Sequence, residues 1–355
     1  MSIVRVPPMI RVMVLLVACT ATIGAPASPA GTPEPNDLVD EAMDYLGFDD
    51  SHRQAILDGE ILFTGMPGLE PLPQAVAVAG AMMIIRRPWE ELIDLYLKEE
   101  SFRTDPHLLG SGRIPEDSPT ASWTEEVAYT SAERKELARM LEVKPGGTFN
   151  FSESEIERFR AIPRGDAAED KALALFRDLL SERVGNYRTK GVAGITPYAR
   201  GNGRQASPAE ELTAAMQDSD FLRRHFPEFH GALDRYPEGS DSLTSSRYYW
   251  TKKEVSGRPS VALVHKTLWV GESACVAGER EFYVGQGYNT MFTVVGAVPY
   301  GDGTLLIAAN RTFSERVTGM GRSLKKTMGR KVVAAKFAER FEYLRSAFEQ
   351  DRRPD

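Results

Sequence analysis

Apolar residues recur every three or four positions along much of the first 240 residues, a spacing typical of amphipathic helices. Gly47 divides the first helical stretch into two short helices. Ser207, Pro208 and Glu210 together have the form of a helix start with a capping box. The predicted helices lie at residues 37–57, 89–100, 131–142, 153–162, 167–187, from 207 onward and at 218–236.

The pattern changes near Arg247, where runs rich in Val, Ile, Thr and aromatic residues alternate with short turns that contain Gly, Pro or Asp. Short loops join antiparallel neighbours, so five such runs in succession predict an antiparallel sheet. Two earlier runs, 60–66 and 75–85, are also predicted strands, although the length of the second leaves a helix possible. Residues 101–130 show neither pattern and are predicted to be irregular. The five later strands are predicted at 248–255, 261–270, 275–284, 291–298 and 304–313.

A last helix is predicted at residues 322–350, where apolar residues from Leu324 to Phe348 follow one another at intervals of three to five. At about 1.5 Å per residue this helix is about 42 Å long, which is enough to lie across a whole sheet. The chain is therefore predicted to have an α+β fold, with an antiparallel sheet and a long C-terminal helix.

The order of these elements resembles the START-like superfamily, also called helix-grip or SRPBCC-type. The likeness rests on residues 76–85, which lead directly into Arg-Arg-Pro-Trp-Glu-Glu-Leu-Ile-Asp-Leu at 86–95, and on the sheet and final helix of residues 247–350. In that superfamily a first strand runs into a helix that contains Pro and Glu, and a long C-terminal helix grips an antiparallel sheet. Residues 101–240 depart from the pattern as a large, mainly helical insertion.

The resemblance implies one START-like domain at residues 37–355, with an apolar cavity between sheet and helix. It also implies that the protein binds a lipid or another hydrophobic or amphipathic small molecule. Because fold alone does not give function, three alternatives stay open: an enzyme of the same fold, of cyclase or hydrolase type, a non-catalytic envelope scaffold, and a solid core without a cavity. Three short stretches also resemble uncharacterised exported bacterial proteins: Tyr248-Tyr-Trp, Gln286-Gly-Tyr and Asn310-Arg. This likeness implies no activity.

Residues 1–30 have the pattern of a bacterial secretion signal, with a basic start that ends at Arg11, an apolar run at 12–18 and small residues after it. The apolar run is too short to span a membrane. We therefore expect an exported protein that is periplasmic, extracellular or anchored to a membrane as a lipoprotein. Residues 31–36 are predicted to be a linker.

Two cleavage schemes fit the signal segment. The first cuts after small residues near Ala27 or Ala30 and releases the protein. The second uses Leu16-Val-Ala-Cys19, which resembles a bacterial lipobox. In that scheme Cys19 is lipidated, and residues 20–36 form a flexible tether to the membrane.

Composition narrows the classes of partner. The chain has 355 residues and a formal net charge of −7, with 42% hydrophobic and 26% charged residues, as in ordinary soluble globular proteins. An acidic chain is a poor candidate for nucleic-acid binding, so no nucleic-acid partner is expected. The two cysteines, Cys19 and Cys275, do not suggest a disulfide framework.

The strongest charge asymmetry lies between residues 311 and 331, where seven basic residues stand against one acid, Glu315. One hypothesis makes this stretch a contact for a phosphate or carboxylate, through Arg311, Arg322 and Lys326. The alternative is a solvated helix face whose charges pair with acids elsewhere, which is the usual role of such runs.

His265 is a second candidate, in the middle of a predicted strand. By alternation its side chain shares one face with Leu263 and Trp269, and it becomes a polar group of the cavity if that face points inward. The alternative is a structural histidine with satisfied hydrogen bonds. The remaining histidines lack metal-ligand spacing, and no nucleophile motif is present. We therefore predict no metal site, no cofactor and no catalytic residue.

Overall fold

The computed structural model of the protein describes residues 35–65, 75–97, 105–116, 121–314, 335 and 338–346. These residues form a mixed α+β fold with ten strands among them. The strands are β1 (Leu62–Gly65), β2 (Ala75–Ile85), β3 (Leu108–Ile114), β4 (Tyr198–Gly201), β5 (Arg204–Ala206), β6 (Ser245–Val255), β7 (Arg258–Val270), β8 (Cys275–Val284), β9 (Thr290–Tyr300) and β10 (Gly303–Ser314).

Eight of the strands form one open antiparallel sheet in the order β1-β2-β10-β9-β8-β7-β6-β3. Strands β6 to β10 are a meander, because each pairs with its successor in the chain. The early strand β2 pairs along its whole length with the last strand β10. Strands β4 and β5 form a separate hairpin.

Helices are the main regular elements among the described residues before β6. Ser152 and Ser207 start two of them, each accepting a hydrogen bond from a backbone N–H in the first turn. Residues 338–346 are also helical. The other helices are α1 (Pro35–Leu46), α2 (Asp50–Leu57), α3 (Trp89–Leu97), α4 (Lys135–Leu141), α5 (Glu153–Arg160), α6 (Ala168–Lys190), α7 (Pro208–Gln217), α8 (Asp220–His225) and α9 (Pro227–Asp234), with short 3-10 segments at Ala121–Glu126, Gly191–Gly194 and Ser240–Ser242.

One element was not predicted. Residues 101–130 lack a strand pattern, yet β3 lies among them and forms an edge of the main sheet. Its partner is β6, more than a hundred residues further along the chain. The strand therefore depends on a long-range pairing rather than on local alternation. The glycine-rich stretch 190–204 contributes to the β4–β5 hairpin.

Both faces of the main sheet are covered. On one face Tyr187 of α6 stacks on Phe282 of β8, with ring centroids 4.1 Å apart, and we call this the Tyr187 face. On the other, Phe341 of the C-terminal helical residues packs with Leu92 of α3 and Ala308 of β10, and we call this the Phe341 face. Because successive side chains of a strand point to opposite faces, each central strand contributes to both cores.

Two arginine–glutamate pairs join α5 to α6, and they differ in burial. Arg183 of α6 donates a hydrogen bond of 2.6 Å to Glu155 of α5, and the two side chains are 4% and 8% exposed. Arg158 of α5 lies 2.8 Å from Glu182 of α6, and these side chains are 39% and 52% exposed. The first pair belongs to the core, and the second belongs to the surface.

Replacing Arg183 by Met should lower the free energy of unfolding by about 3–5 kcal/mol, because the carboxylate of Glu155 loses its buried partner. The substitution Arg158→Met removes the exposed pair between the same two helices and should cost less than about 1 kcal/mol. Urea unfolding followed by circular dichroism measures both changes. Equal losses of stability in the two variants would contradict the difference in role.

Candidate functional site

The Phe341 face changes from apolar to polar along the direction of its strands. The register of the sheet arranges its side chains in rows of cross-strand neighbours, and two rows near the β9–β10 turn are apolar. We call these the apolar rows: Met83, Leu306, Ala297, Cys275 and Val270 in the first, and Ala81, Ala308, Val295, Ala277 and Leu268 in the second. The next row, which we call the polar row, holds Asn310, Thr293, Glu279 and Lys266.

Glu279 is the buried acid of the polar row, with 4% exposure. Its Oε2 accepts a hydrogen bond of 3.3 Å from Arg340, in the helical residues 338–346 that cover this face. Its Oε1 is buried and accepts no hydrogen bond from the described residues. Burial works to raise the pKa of this carboxyl, but Arg340, Lys266 and Lys253 together hold the pKa below its usual value. Glu279 is therefore ionised, and one of its oxygens lacks a donor.

Lys266 lies directly across from Glu279 on β7 and is 2% exposed. Its Nζ lies 4.7 Å from the ring centroid of Tyr96 and 5.4 Å from that of Tyr249. The same Nζ donates a hydrogen bond of 3.3 Å to the carbonyl oxygen of Tyr96. Burial lowers the pKa of Lys266 from 10.5 to about 7, although Glu279 acts to raise it. This amine therefore changes its charge near neutral pH.

A second group of charges adjoins the polar row. Lys253 of β6 lies 3.2 Å from Oε1 of Glu281 and 3.3 Å from Oδ2 of Asp105. The phenol of Tyr288 donates a short hydrogen bond to the other oxygen of Glu281. Burial, with the charge of Glu281, raises the pKa of Tyr288 well above its usual value. Both oxygens of Glu281 are thus partnered, in contrast to those of Glu279.

Six ionisable groups of both signs gather on this face. Three are carboxylates and three are cations, and Arg247 of β6, directly across from Lys266, adds a further cation. Buried charges with shifted pKa values concentrate at functional sites, because stability alone seldom requires them. The Phe341 face can therefore hold a polar group at the polar row and an apolar group on the alanine-rich rows beside it. The six groups are Asp105, Lys253, Lys266, Glu279, Glu281 and Arg340.

The sequence-predicted candidate His265 lies on the opposite, Tyr187 face and is fully buried. Its Nδ1 is 3.0 Å from the hydroxyl of Tyr187, and its Nε2 is 2.8 Å from the hydroxyl of Ser246. Arg280, which can only donate, also contacts the Tyr187 hydroxyl at 3.4 Å. Both ring nitrogens of His265 thus lie within hydrogen-bond distance of a hydroxyl group.

The hydrogen bonds to Tyr187 and Ser246 fix the orientation of the imidazole ring of His265. Burial, with the nearby charge of Arg280, lowers the pKa of His265 well below its usual value, so the ring is neutral. In the described structure His265 joins β7 to α6 and does not face the C-terminal helix.

The sequence also suggested an anion contact through Arg311, Arg322 and Lys326. Arg311 lies on the Tyr187 face, 2% exposed, and donates to the hydroxyl of Tyr45 at 2.7 Å and to the carboxylate of Asp218 at 3.0 Å. Its charge is thus paired inside the protein, beside an apolar cavity of about 50 Å³. Arg322 and Lys326 lie outside the described residues, as does the lipidation candidate Cys19.

A polar cavity of about 370 Å³ opens beside the β4–β5 hairpin. Arg200 of β4 donates hydrogen bonds of 2.9 Å and 2.8 Å to the amide oxygens of Asn150 and Asn289. Both amides are fixed from behind, because Asn150 donates to the carbonyl oxygen of Tyr288 and Asn289 donates to Glu211, each at 2.7 Å. The glycine-rich stretch thus places one guanidinium at a cavity wall.

No family model, no curated protein and no solved structure matches this chain. Among the described residues, no helix combines the length and the apolar character needed to cross a membrane. Within the same ranges, no three His, Cys, Asp or Glu side chains are grouped so that they could hold a metal ion. The geometry of the Phe341 face is therefore the feature that points to a function.

Sequence reasoning missed Lys266 and Glu279. Alternation correctly put His265 with Leu263 and Trp269, but a sequence does not say which strand face the last helix will cover. A usable signal was present, because Lys and Glu in the middle of long strands are almost never buried without partners. Two such residues at the centre of an apolar sheet indicate an internal polar site.

Replacing Lys266 by Met should stabilise the protein by as much as about 3–5 kcal/mol near pH 6. In the folded protein Lys266 has a pKa of about 7 against 10.5 when exposed, so the unfolded chain binds more protons between these values. Wild-type stability should therefore rise as the pH increases from about 7 to about 10. The advantage of the variant should shrink over the same range.

Urea unfolding at several pH values measures this difference. The groups that face Lys266 all remain in the variant: Glu279, Arg340, Lys253, Arg247, Tyr96 and Tyr249. Lys171→Met, on the exposed side of α6, makes the same change of charge and should leave the pH dependence unaltered. A constant difference between wild type and Lys266→Met from pH 6 to 10 would refute the burial of a titrating amine.

Proposed function

We propose that this protein binds an amphipathic small molecule on the Phe341 face. The observation that carries the proposal is that the apolar rows adjoin the polar row, in which a buried oxygen of Glu279 has no donor among the described residues. An amphipathic ligand satisfies both halves of such a surface, because its chain lies on alanines and its polar end meets buried hydrogen-bonding groups. The proposed frame is START-like, with the helix predicted at 322–350 gripping the sheet and residues 101–240 inserted over the opposite face.

Small side chains support a ligand on this surface. Ala81 and Ala308 are neighbours on β2 and β10, and Ala277 stands on β8 in the same row, beyond Val295 of β9. Larger apolar residues at these positions would fill the space between sheet and helix. Phe341 and Leu344 of the C-terminal helical residues pack against the same rows. The ligand would then lie between the alanines and the helix, as the resemblance to START-like domains implies.

The two other functions considered from the sequence have less support. An enzyme that uses His265 needs that residue in the ligand site, and its hydrogen bonds tie it to α6 on the other face. A scaffold needs a broad apolar surface, and in the described part of residues 101–240 the single exposed large apolar side chain is Leu109. A binding protein remains the best supported function.

The neutral fluorescent probe N-phenyl-1-naphthylamine should bind the purified protein, with increased fluorescence, and decylamine should displace it. Ala308→Leu adds volume to the apolar rows and should weaken probe binding at least tenfold. Ala309→Leu adds the same volume one residue along β10, on the opposite face, and should change probe affinity less than twofold.

Thermal unfolding of each variant shows whether it is folded at the assay temperature. The proposal fails if the wild-type protein binds neither the probe nor an amphiphile. It also fails if Ala308→Leu and Ala309→Leu, both folded, weaken binding equally.

We also propose that the protein is exported, because residues 1–30 have the basic, apolar and small-residue order of a secretion signal. Mass spectrometry of the N-terminus, after expression in a bacterium with an outer membrane, tests this. Acylated Cys19 would identify a lipoprotein, and a start near Ser28 or Gly31 would identify a released protein. A chain that keeps residues 1–18 would overturn export.

A further inference from the structure

The unpartnered oxygen of Glu279 restricts the chemistry of the ligand. An ionised carboxylate oxygen that is buried without a hydrogen bond costs free energy, and a donor supplied by a ligand removes that cost. A carboxylate or phosphate ligand has no donor to offer when ionised. A hydroxyl or a protonated amine has one, and the amine also carries a compensating charge.

The rest of the polar row does not compete for such a donor. The amide of Asn310 donates to the hydroxyl of Thr293 at 2.8 Å, and its oxygen accepts from Thr312 at 2.9 Å. These neutral side chains satisfy one another. Glu279 is therefore the acceptor in the row that a ligand would meet.

Lys266, with a pKa lowered to about 7, is only partly protonated near neutral pH and donates to the carbonyl oxygen of Tyr96. The two other cations beside Glu279 are poor partners for an anionic ligand, because carboxylates already bind them. Arg340 donates to Glu279, and Lys253 lies between Glu281 and Asp105. An anionic headgroup would have to draw one of these cations away from a carboxylate in a site of low dielectric constant. It would also lie close to the negative charge of Glu279.

We propose that the Phe341 face selects amphiphiles whose headgroup donates hydrogen bonds, a hydroxyl or a protonated amine, and that Glu279 is the acceptor that makes this choice. This selectivity rests on the amphiphile binding proposed above. It differs from the anion contact suggested by the basic residues between 311 and 331, because here the headgroup donates to the carboxylate of Glu279.

A series of ligands with one chain and three headgroups tests the selectivity. Equilibrium dialysis of the full chain at pH 7.5 gives the dissociation constants of decylamine, 1-decanol and decanoate, each kept below its critical micelle concentration. Decylamine and 1-decanol should bind at least tenfold more tightly than decanoate. The same ten-carbon chain makes the apolar contribution equal across the series.

Glu279→Gln removes the negative charge but keeps the size of the side chain. It should reduce decylamine affinity at least tenfold and raise decanoate affinity, because Arg340 and Lys266 are then no longer balanced by this carboxylate. Glu339→Gln makes the same change of charge at an exposed position one residue before Arg340 and should leave the order of affinities unchanged. Circular dichroism establishes that both variants are folded.

The outcomes separate the selectivity from the binding function. If no decyl compound binds, the proposed function fails. If all three bind and decanoate binds as tightly as decylamine, amphiphile binding stands and the role of Glu279 is refuted. A Glu279→Gln variant that keeps the wild-type order of affinities also refutes that role.

Discussion

Helices cover both faces of the eight-stranded sheet, so an ionisable side chain on its central strands must find partners inside the protein. Strand β7 carries two adjacent ionisable residues at its centre, and β8 carries three in succession. Alternation separates them, sending Lys266 and Glu279 to the Phe341 face and His265 and Arg280 to the Tyr187 face. The two faces differ in the hydrogen-bond partners that they offer to these side chains.

The hydrogen bonding of these residues differs between the two faces. On the Tyr187 face, α6 brings Tyr187 to the imidazole of His265, so that both ring nitrogens are hydrogen bonded to hydroxyl groups. On the Phe341 face, the covering helix brings Arg340 to one oxygen of Glu279 and leaves the other oxygen without a donor. The imidazole on the Tyr187 face therefore has a partner for each nitrogen. The carboxylate on the Phe341 face has one oxygen without a donor among the described residues.

Local patterns were sufficient to predict most elements, because strong periodicity and capping residues are local signals. The five meander strands, the strand 75–85 and the helix starts at Ser152 and Ser207 are examples. Strand β3 was missed because its pairing partner is distant in sequence. The polar row was also missed, because a row across a sheet depends on the register of several strands, which no single strand encodes.

Stability does not account for the polar row. Apolar residues in place of buried charges often leave a protein as stable or more stable, and the lowered pKa of Lys266 shows that its burial is costly. Thr293 and Asn310 indicate that a neutral, self-satisfied row is possible on the same sheet. Glu279 departs from that arrangement where the row crosses β8, directly beside Ala277 in the apolar row. A buried acceptor at the border between polar and apolar rows fixes the direction in which an amphipathic ligand can lie, because only one end of such a molecule can meet it.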